Sequence, residues 1–288
     1  MNLSLSRREA ALVLVTALWG GTFLAVQVAL QWASPFALVG VRFGLAATLL
    51  GAVLWWRGEL RGLNRFEVRA GLILGVWVYL GFGLQTAGLL HIDSSQSAFL
   101  TALYVPLVPL VLWLWKRQLP TAWAWLAIGM AVAGTYALTG AHTNLASMNI
   151  GDWLTVACAL AFAMEIVLLG HYSQRCQPVR LAWVITLTVA VLAWATSGVM
   201  QESGVQPSWT FVALIVGLAC VTAFVQFAMS WAQQSVPETR ATLIYSMEPV
   251  WAALVGALAG ERLGLLGLLG GALIVLAMWV GKLKPVSP

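Results

Sequence analysis

Charge is what this sequence has least of. Only 9% of its 288 residues are Asp, Glu, Lys or Arg, whereas 61% are hydrophobic, and the mean hydropathy is +0.88. A water-soluble fold of this size needs far more polar surface, so the chain reads as an integral membrane protein. Cysteine is scarce too. Cys158 and Cys220 lie in apolar segments and Cys176 in a short loop, with no metal or redox spacing, so they read as small buried side chains without disulfides. His91, His142 and His171 lie far apart near segment ends and form no HExxH pair, so no metal site is expected. There is no P-loop, which excludes ATP as the direct energy source, and no GxSxG or comparable nucleophile motif. No cofactor is expected. No link between apolar segments is long enough to hold a water-facing catalytic site, so the chain is not read as an enzyme. The 15 basic residues exceed the 10 acidic ones, but they stand at segment ends, where they set membrane topology and are no footprint of nucleic-acid binding.

What is present is a series of apolar runs about 20 residues long, the length of membrane helices and twice that of barrel strands. Ten are separated by charges and turn residues: 10–32, 36–56, 70–90, 96–115, 121–140, 151–171, 179–200, 209–232, 239–259 and 263–281. Ser6-Arg7-Arg8 before the first run superficially resembles a signal peptide. The run is too long for that, and nine more follow, so it is expected to be a retained first helix. With a cytoplasmic N-terminus and alternating sides, Arg7, Arg8, Arg57, Arg61, Arg65, Arg69, Lys116, Arg117, Arg175, Arg180, Arg240, Lys282 and Lys284 fall inside. Only Arg262 falls outside, and Arg42 lies within a segment. This positive-inside pattern predicts a multi-pass inner-membrane protein with both termini cytoplasmic. Most of the tryptophans, such as Trp55, Trp56, Trp153 and Trp209, sit at segment ends as an interfacial belt. Trp19, Trp77 and Trp251 are interior.

The chain also repeats itself weakly, with Pro35 matching Pro178, Trp19 matching Phe162 and Pro106 matching Pro249 at a period of about 143 residues. A period of 144 superposes Ser97, Thr101 and Tyr104 on Ala241, Tyr245 and Glu248 instead. Five spans per half is an odd number, so the second half must be inverted. The expected fold is all-α, ten transmembrane helices in two inverted five-helix repeats, 1–143 and 144–288.

Ser97–Trp115 organises this reading. It is an uncharged span interrupted by Pro106 and Pro109, with Ser97, Thr101 and Tyr104 on one helical face. A proline inside a helix frees a carbonyl and bends the axis, which hydrocarbon tolerates only beside protein or a wet cavity. Pro106 and Pro249 are therefore the expected hinges, helped by glycines such as Gly81 and Gly83. Further polar faces are Tyr79, Gly83 and Thr86 with Gln85 in the third span, and Thr222, Gln226 and Ser230 in the eighth. Three ionisable residues lie deep in spans, at a cost of several kcal/mol each on insertion scales, about 2.5–3.5 for Arg. Glu165 is read as an amine partner or proton site, and Glu248 as a site residue that also satisfies the bend at Pro249. Arg42 is read as a structural charge paired with a carboxylate or with helix-end carbonyls. Gly267 and Gly271 form a small-xxx-small pair, for packing within the bundle or for a dimer face.

Taken together, Leu18-Trp19-Gly20 with Phe23, Arg42-Phe43 with Ala46, Pro106, Pro249 and Gly260-Glu261-Arg262 before a glycine-rich Gly267–Gly271 resemble the drug/metabolite transporter superfamily, EamA-type members. Arg117-Gln118 stands where many relatives have Gly-Glu. The resemblance covers the whole chain and implies export of small metabolites, amino acids or drugs through a cavity between the halves. Some such members export aromatic amino acids, which Tyr79, Phe82, Tyr104 and Tyr245 would suit by stacking. The expected solute site comprises Trp19, Tyr79, Phe82, Gln85, Ser97, Thr101, Tyr104, Glu165, Gln226, Tyr245 and Glu248. The expected partners are a small-molecule substrate and the lipid bilayer, with no nucleic acid, in a monomer or weak homodimer. The alternatives are a lipid flippase and a multidrug or nucleoside exporter of the same fold.

Overall fold

The structure, a computed structural model, describes residues 5–117, 121–139, 148–258 and 264–281. Gln118, His142, the Gly260-Glu261-Arg262 motif, Lys282 and Lys284 lie outside the described residues. Among the described residues, ten spans are built from twelve α-helices. In the first half these are α1 (Arg7–Ala29), α2 (Pro35–Trp56), α3 (Arg65–Gly88), α4 (Ser94–Thr101), α5 (Tyr104–Lys116) and α6 (Ala122–Thr139). The second half has α7 (Ile150–Tyr172), α8 (Pro178–Val199), α9 (Trp209–Ala232), α10 (Glu238–Tyr245), α11 (Glu248–Leu258) and α12 (Leu265–Val280). The spans α4–α5 and α10–α11 are each broken in the middle. Large side chains such as Leu14, Trp55, Val199 and Leu269 are exposed around the bundle, as befits a protein whose solvent is hydrocarbon.

Local sequence explains where the helices begin. Ser6 with Glu9, Asn64 with Glu67, and Asn149 with Asp152 form reciprocal capping boxes at α1, α3 and α7, which satisfy donors that lipid cannot. Proline opens α2 and α8, where its missing N–H leaves nothing unpaired.

The two periods suggested by the sequence both hold. The ends of α1 and α7, and of α2 and α8, lie 143 residues apart. Those of α3 and α9, and of α4 and α10, lie 144 apart. The second half thus carries one extra residue between its second and third spans. Packing follows the same symmetry. α2 lies along its equivalent α8 and α6 along α12, while the α3–α7 contact is repeated as α9–α1 and the α1–α11 contact as α7–α5. The α2–α8 pair is antiparallel. Glu202, just beyond the end of α8, accepts the Phe36 and Ala37 N–H groups at the start of α2, at 3.2 and 3.0 Å. Equivalent helices running in opposite directions are what inversion means.

Close approaches are made by glycines. A Cβ on Gly20 would lie 2.7 Å from both the Ala252 nitrogen and the Trp251 Cβ, so the Trp-Gly step of α1 is where α11 crosses it. The bending role expected of Gly81 and Gly83 is not seen. α3 runs unbroken through both, and their missing side chains leave room for the rings of Phe162 and Phe36. The glycine-rich α12 turns Gly267, Gly270 and Ile274 inward, and a Cβ on Gly134 of α6 would meet the Gly270 carbonyl oxygen at 2.7 Å. This glycine face is used for packing within the bundle.

Candidate functional site

The helix breaks create the site. Pro106 and Pro249 lack the N–H that would bind the carbonyls of Ala102 and Tyr245 four residues earlier, and the helices part at Ala102–Leu103 and at Ser246–Met247. The bend is thus displaced about one turn before each proline. Val105 N–H, three residues on, takes up the freed Ala102 carbonyl at 2.9 Å. The first residues after the breaks, Tyr104 and Glu248, are equivalent between the halves. Their side chains meet, with the Tyr104 hydroxyl donating to Glu248 Oε2 at 3.4 Å. Two equivalent residues that touch must lie beside the axis relating the halves. Glu248 also begins α11, where the helix dipole and unpaired N–H groups favour a carboxylate.

A cavity surrounds this contact, lined by five equivalent pairs: Trp19 with Phe162, Thr22 with Glu165, Phe23 with Ile166, Gln85 with Met229, and Tyr104 with Glu248. Phe82 and Thr101 complete the wall. The Gln85 amide donates to Thr101 Oγ1 at 3.1 Å, which fixes one polar edge. Phe82 and Phe162 stand edge to face with centroids 5.2 Å apart. The space that a water molecule's centre can occupy is about 30 Å³, room for no more than a few waters. The aromatic walls must part before a solute the size of an amino acid can enter.

Electrostatically the cavity is one-sided. Its two carboxylates, Glu165 and Glu248, come from the second half, and their first-half equivalents are the neutral Thr22 and Tyr104. No Lys or Arg lines it. Glu165 is 3% exposed and its Oε1 has no hydrogen-bond partner, while the Gln226 side chain lies beside its carboxyl group. Two acids among rings form a receptacle for a protonated amine or for protons themselves. Among the described residues no group of three metal-ligating side chains occurs.

Seven of the residues expected from the sequence line the cavity: Trp19, Phe82, Gln85, Thr101, Tyr104, Glu165 and Glu248. Four do not. Gln226 stands behind Glu165. Tyr245 is fully buried, its hydroxyl accepting from Gln233 at 2.9 Å and its ring 5.4 Å from that of Trp19. Ser97 is buried one turn behind Thr101. Tyr79 is engaged with Thr196 of α8 at 2.5 Å and with the Phe36 ring. Trp77 and Trp251 are also elsewhere, and the Trp251 indole donates to Thr16 at 3.1 Å. A shared helical face is wider than the part of it that reaches an axis. The residues not foreseen are Thr22, Phe23, Phe162, Ile166 and Met229. Thr22, Phe162 and Met229 are the repeat equivalents of the expected Glu165, Trp19 and Gln85, so the period carried their signal, whereas Phe23 and Ile166 are equivalent only to each other.

Arg42 departs from its expected pairing. It is 3% exposed, yet no carboxylate lies within 4 Å of it among the described residues. Its Nε donates to Thr222 Oγ1 at 2.6 Å, and its guanidinium carbon lies 4.9 Å from the Phe82 ring centroid and 5.7 Å from that of Phe43. The mid-membrane acids belong to the cavity, so ring faces and a hydroxyl take the place of a counter-ion.

This architecture is shared with known proteins. The chain is 30% identical over 278 residues to an uncharacterized transporter of Archaeoglobus fulgidus, covering 96% of this chain and 86% of the relative. It is 21% identical over 235 residues to the uncharacterized transporter YvbV of Bacillus subtilis, covering 78% and 73%. A solved structure titled only as the crystal structure of a protein superposes with a TM-score of 0.81 at 20% identity, covering 97% of this chain and 99% of that one; it shares the fold. The model of the EamA-like transporter family matches twice, over residues 8–140 and 149–280, and the chain belongs to that family.

Proposed function

We propose that the chain is a secondary transporter that exports small organic metabolites, aromatic amino acids foremost, by alternating access. The face where α1 begins would lie against the cytoplasm of a bacterial cell, as its arginines and lysines favour. The protein would act without catalysis, as a monomer or weak homodimer. The observation that carries the reading is the cavity on the axis between inverted halves, walled by equivalent residues from both. A site so placed keeps its surroundings when the halves rock, and can face either side in turn. Glu165 and Glu248 would hold the solute's amino group while Trp19, Phe82, Tyr104 and Phe162 enclose its ring.

The test is counterflow in proteoliposomes against a panel of amino acids, nucleosides and amine drugs, with and without a pH gradient. Flux of phenylalanine, tyrosine or tryptophan that Glu165→Gln reduces or uncouples from pH supports the proposal. No flux of any aromatic amino acid removes the substrate class, and an unchanged pH dependence in Glu165→Gln removes proton coupling through that residue. One observation favours a second reading, a lipid flippase. A surface groove between α1 and α9 is lined by Leu18, Gly21 and Ala25 and shares Thr22 with the cavity, which would allow lateral entry. Transport of a water-soluble amino acid excludes it.

A further inference from the structure

We propose that Arg42 is the carboxylate-binding residue of this site, screened from the cavity by the Phe82 ring until a substrate enters. The inference deepens the amino-acid reading above and rests on it. A guanidinium buried at mid-membrane is costly unless an anion accompanies it. Arg42 has none among the described residues, only the Thr222 hydroxyl and the faces of Phe43 and Phe82. Thr222 in turn donates to the Leu218 carbonyl at 2.7 Å, so it anchors Nε and leaves the fork of the guanidinium to other partners. That fork is the group best matched to a carboxylate.

Phe82 is what separates Arg42 from the cavity. Its ring lies 4.9 Å from the guanidinium carbon on one side and lines the cavity together with Glu165 and Glu248 on the other. The repeat underlines its position: 144 residues on stands Gln226, which attends the Glu165 carboxyl in the second half. Position 82 and its equivalent thus each adjoin a buried ionisable group, the Arg42 guanidinium in the first half and the Glu165 carboxyl in the second. With room for only a few waters in the cavity, its aromatic wall must yield to any amino acid. When Phe82 turns aside, the site gains a cation opposite two acids, an arrangement complementary to a zwitterion.

The experiment compares phenylalanine with phenethylamine, the same molecule without its carboxylate, in proteoliposome counterflow and by quenching of Trp fluorescence in wild type, Arg42→Gln and Arg42→Lys. The expected result is a rise of at least about tenfold in KM for phenylalanine in Arg42→Gln, with the value for phenethylamine within twofold of wild type. Arg42→Lys, which keeps the charge and loses the fork, should lie between for phenylalanine and stay unchanged for phenethylamine. Retained phenethylamine binding shows that a variant is folded; should Arg42→Gln fail to fold, Arg42→Lys decides by the same comparison. Equal losses for both ligands, or no loss for either, overturn the inference. A wild type that carries phenethylamine and not phenylalanine overturns it while leaving transport intact. A wild type that carries neither defeats the transport reading itself.

Discussion

The ion pairs on the face where α1 begins offer a quantitative test of how the cavity is closed. Arg240 at the start of α10 donates through Nε to Glu9 of α1 at 2.8 Å, with both side chains 11% exposed, and a second nitrogen reaches the Met278 carbonyl. Lys116 at the end of α5 pairs with Glu238 at 2.6 Å, with 27% and 14% of the side chains exposed. The position equivalent to the Glu9–Arg240 pair on the opposite face is held by an amide, Gln96, donating to Asp152. One face is therefore locked by charges between the halves and the other by a neutral donor. Removing one partner from a fully buried pair costs about 3–5 kcal/mol. Glu9 keeps the Ser6 amide at 2.8 Å, and the pair is not wholly dry, so about 2 kcal/mol is the reasonable share for Arg240→Gln. If the pair exists only while this face is shut, that loss favours opening by roughly 30-fold. Lys116→Gln, from a wetter pair, should change it by only about two- to fivefold. The assay is the rate at which a membrane-impermeant thiol reagent, applied from this face, modifies a Thr22→Cys reporter on a background with the native cysteines replaced. A folded Arg240→Gln protein with an unchanged rate would refute the reasoning.

Three further outcomes follow from particular contacts. Gly20→Ala should lower the melting temperature in detergent by several degrees, because its methyl would sit 2.7 Å from α11 and overpacking costs about 1–3 kcal/mol; Gly21→Ala, with nothing within 4 Å, should be neutral or stabilising, and equal behaviour of the two would disprove the crossing. Glu202→Ala should destabilise by about 1 kcal/mol and speed hydrogen exchange at Phe36 and Ala37, since its carboxylate accepts both amides at the start of α2; unchanged exchange would show that the cap does not form. Burial and the nearby Glu67 push the Cys176 thiol, in the loop before α8, up to about 11. Its folded value therefore lies above the unfolded one, so the protonated form stabilises the fold below about pH 9, and that contribution is lost as pH rises toward 11. Near pH 8 its thiolate fraction, and so its alkylation, should be roughly 100-fold lower in native protein than in SDS; equal rates would contradict that environment.

How far the sequence reveals this molecule depends on which property is asked of it. Span number and alternation are read from runs of apolar residues and from where arginines stand, because the bilayer fixes the length and runs of about 20 residues suit helices where barrel strands would be about half as long. The broken spans were visible as prolines. Their offset was not, because the carbonyl that loses its partner lies four residues upstream. In the site, Glu165 and Glu248 stood out because charges in hydrocarbon are costly, and Thr101 and Tyr104 because they share a face. Tyr79 and Tyr245 illustrate the opposite. Both are polar aromatics on plausible faces, yet one is held by Thr196 of α8 and the other by Gln233 at the end of α9, partners that periodicity does not name. Met229 carries no polar signal and is marked only by its equivalence to Gln85, while Phe23 and Ile166 are equivalent only to each other and no polar partner in the repeat marks them. Arg42 was recognised as costly, but its lack of a counter-ion is a property of packing.

The central claim, that solutes bind on the axis between the inverted halves, is tested most directly by locating one there. Crystals of the protein grown with 4-bromophenylalanine and measured at the bromine edge should show an anomalous peak enclosed by Trp19, Phe82 and Phe162, with the amino group toward Glu165 and Glu248. A peak only in the groove between α1 and α9, or none in the central cavity under conditions where the compound is transported, would contradict the account.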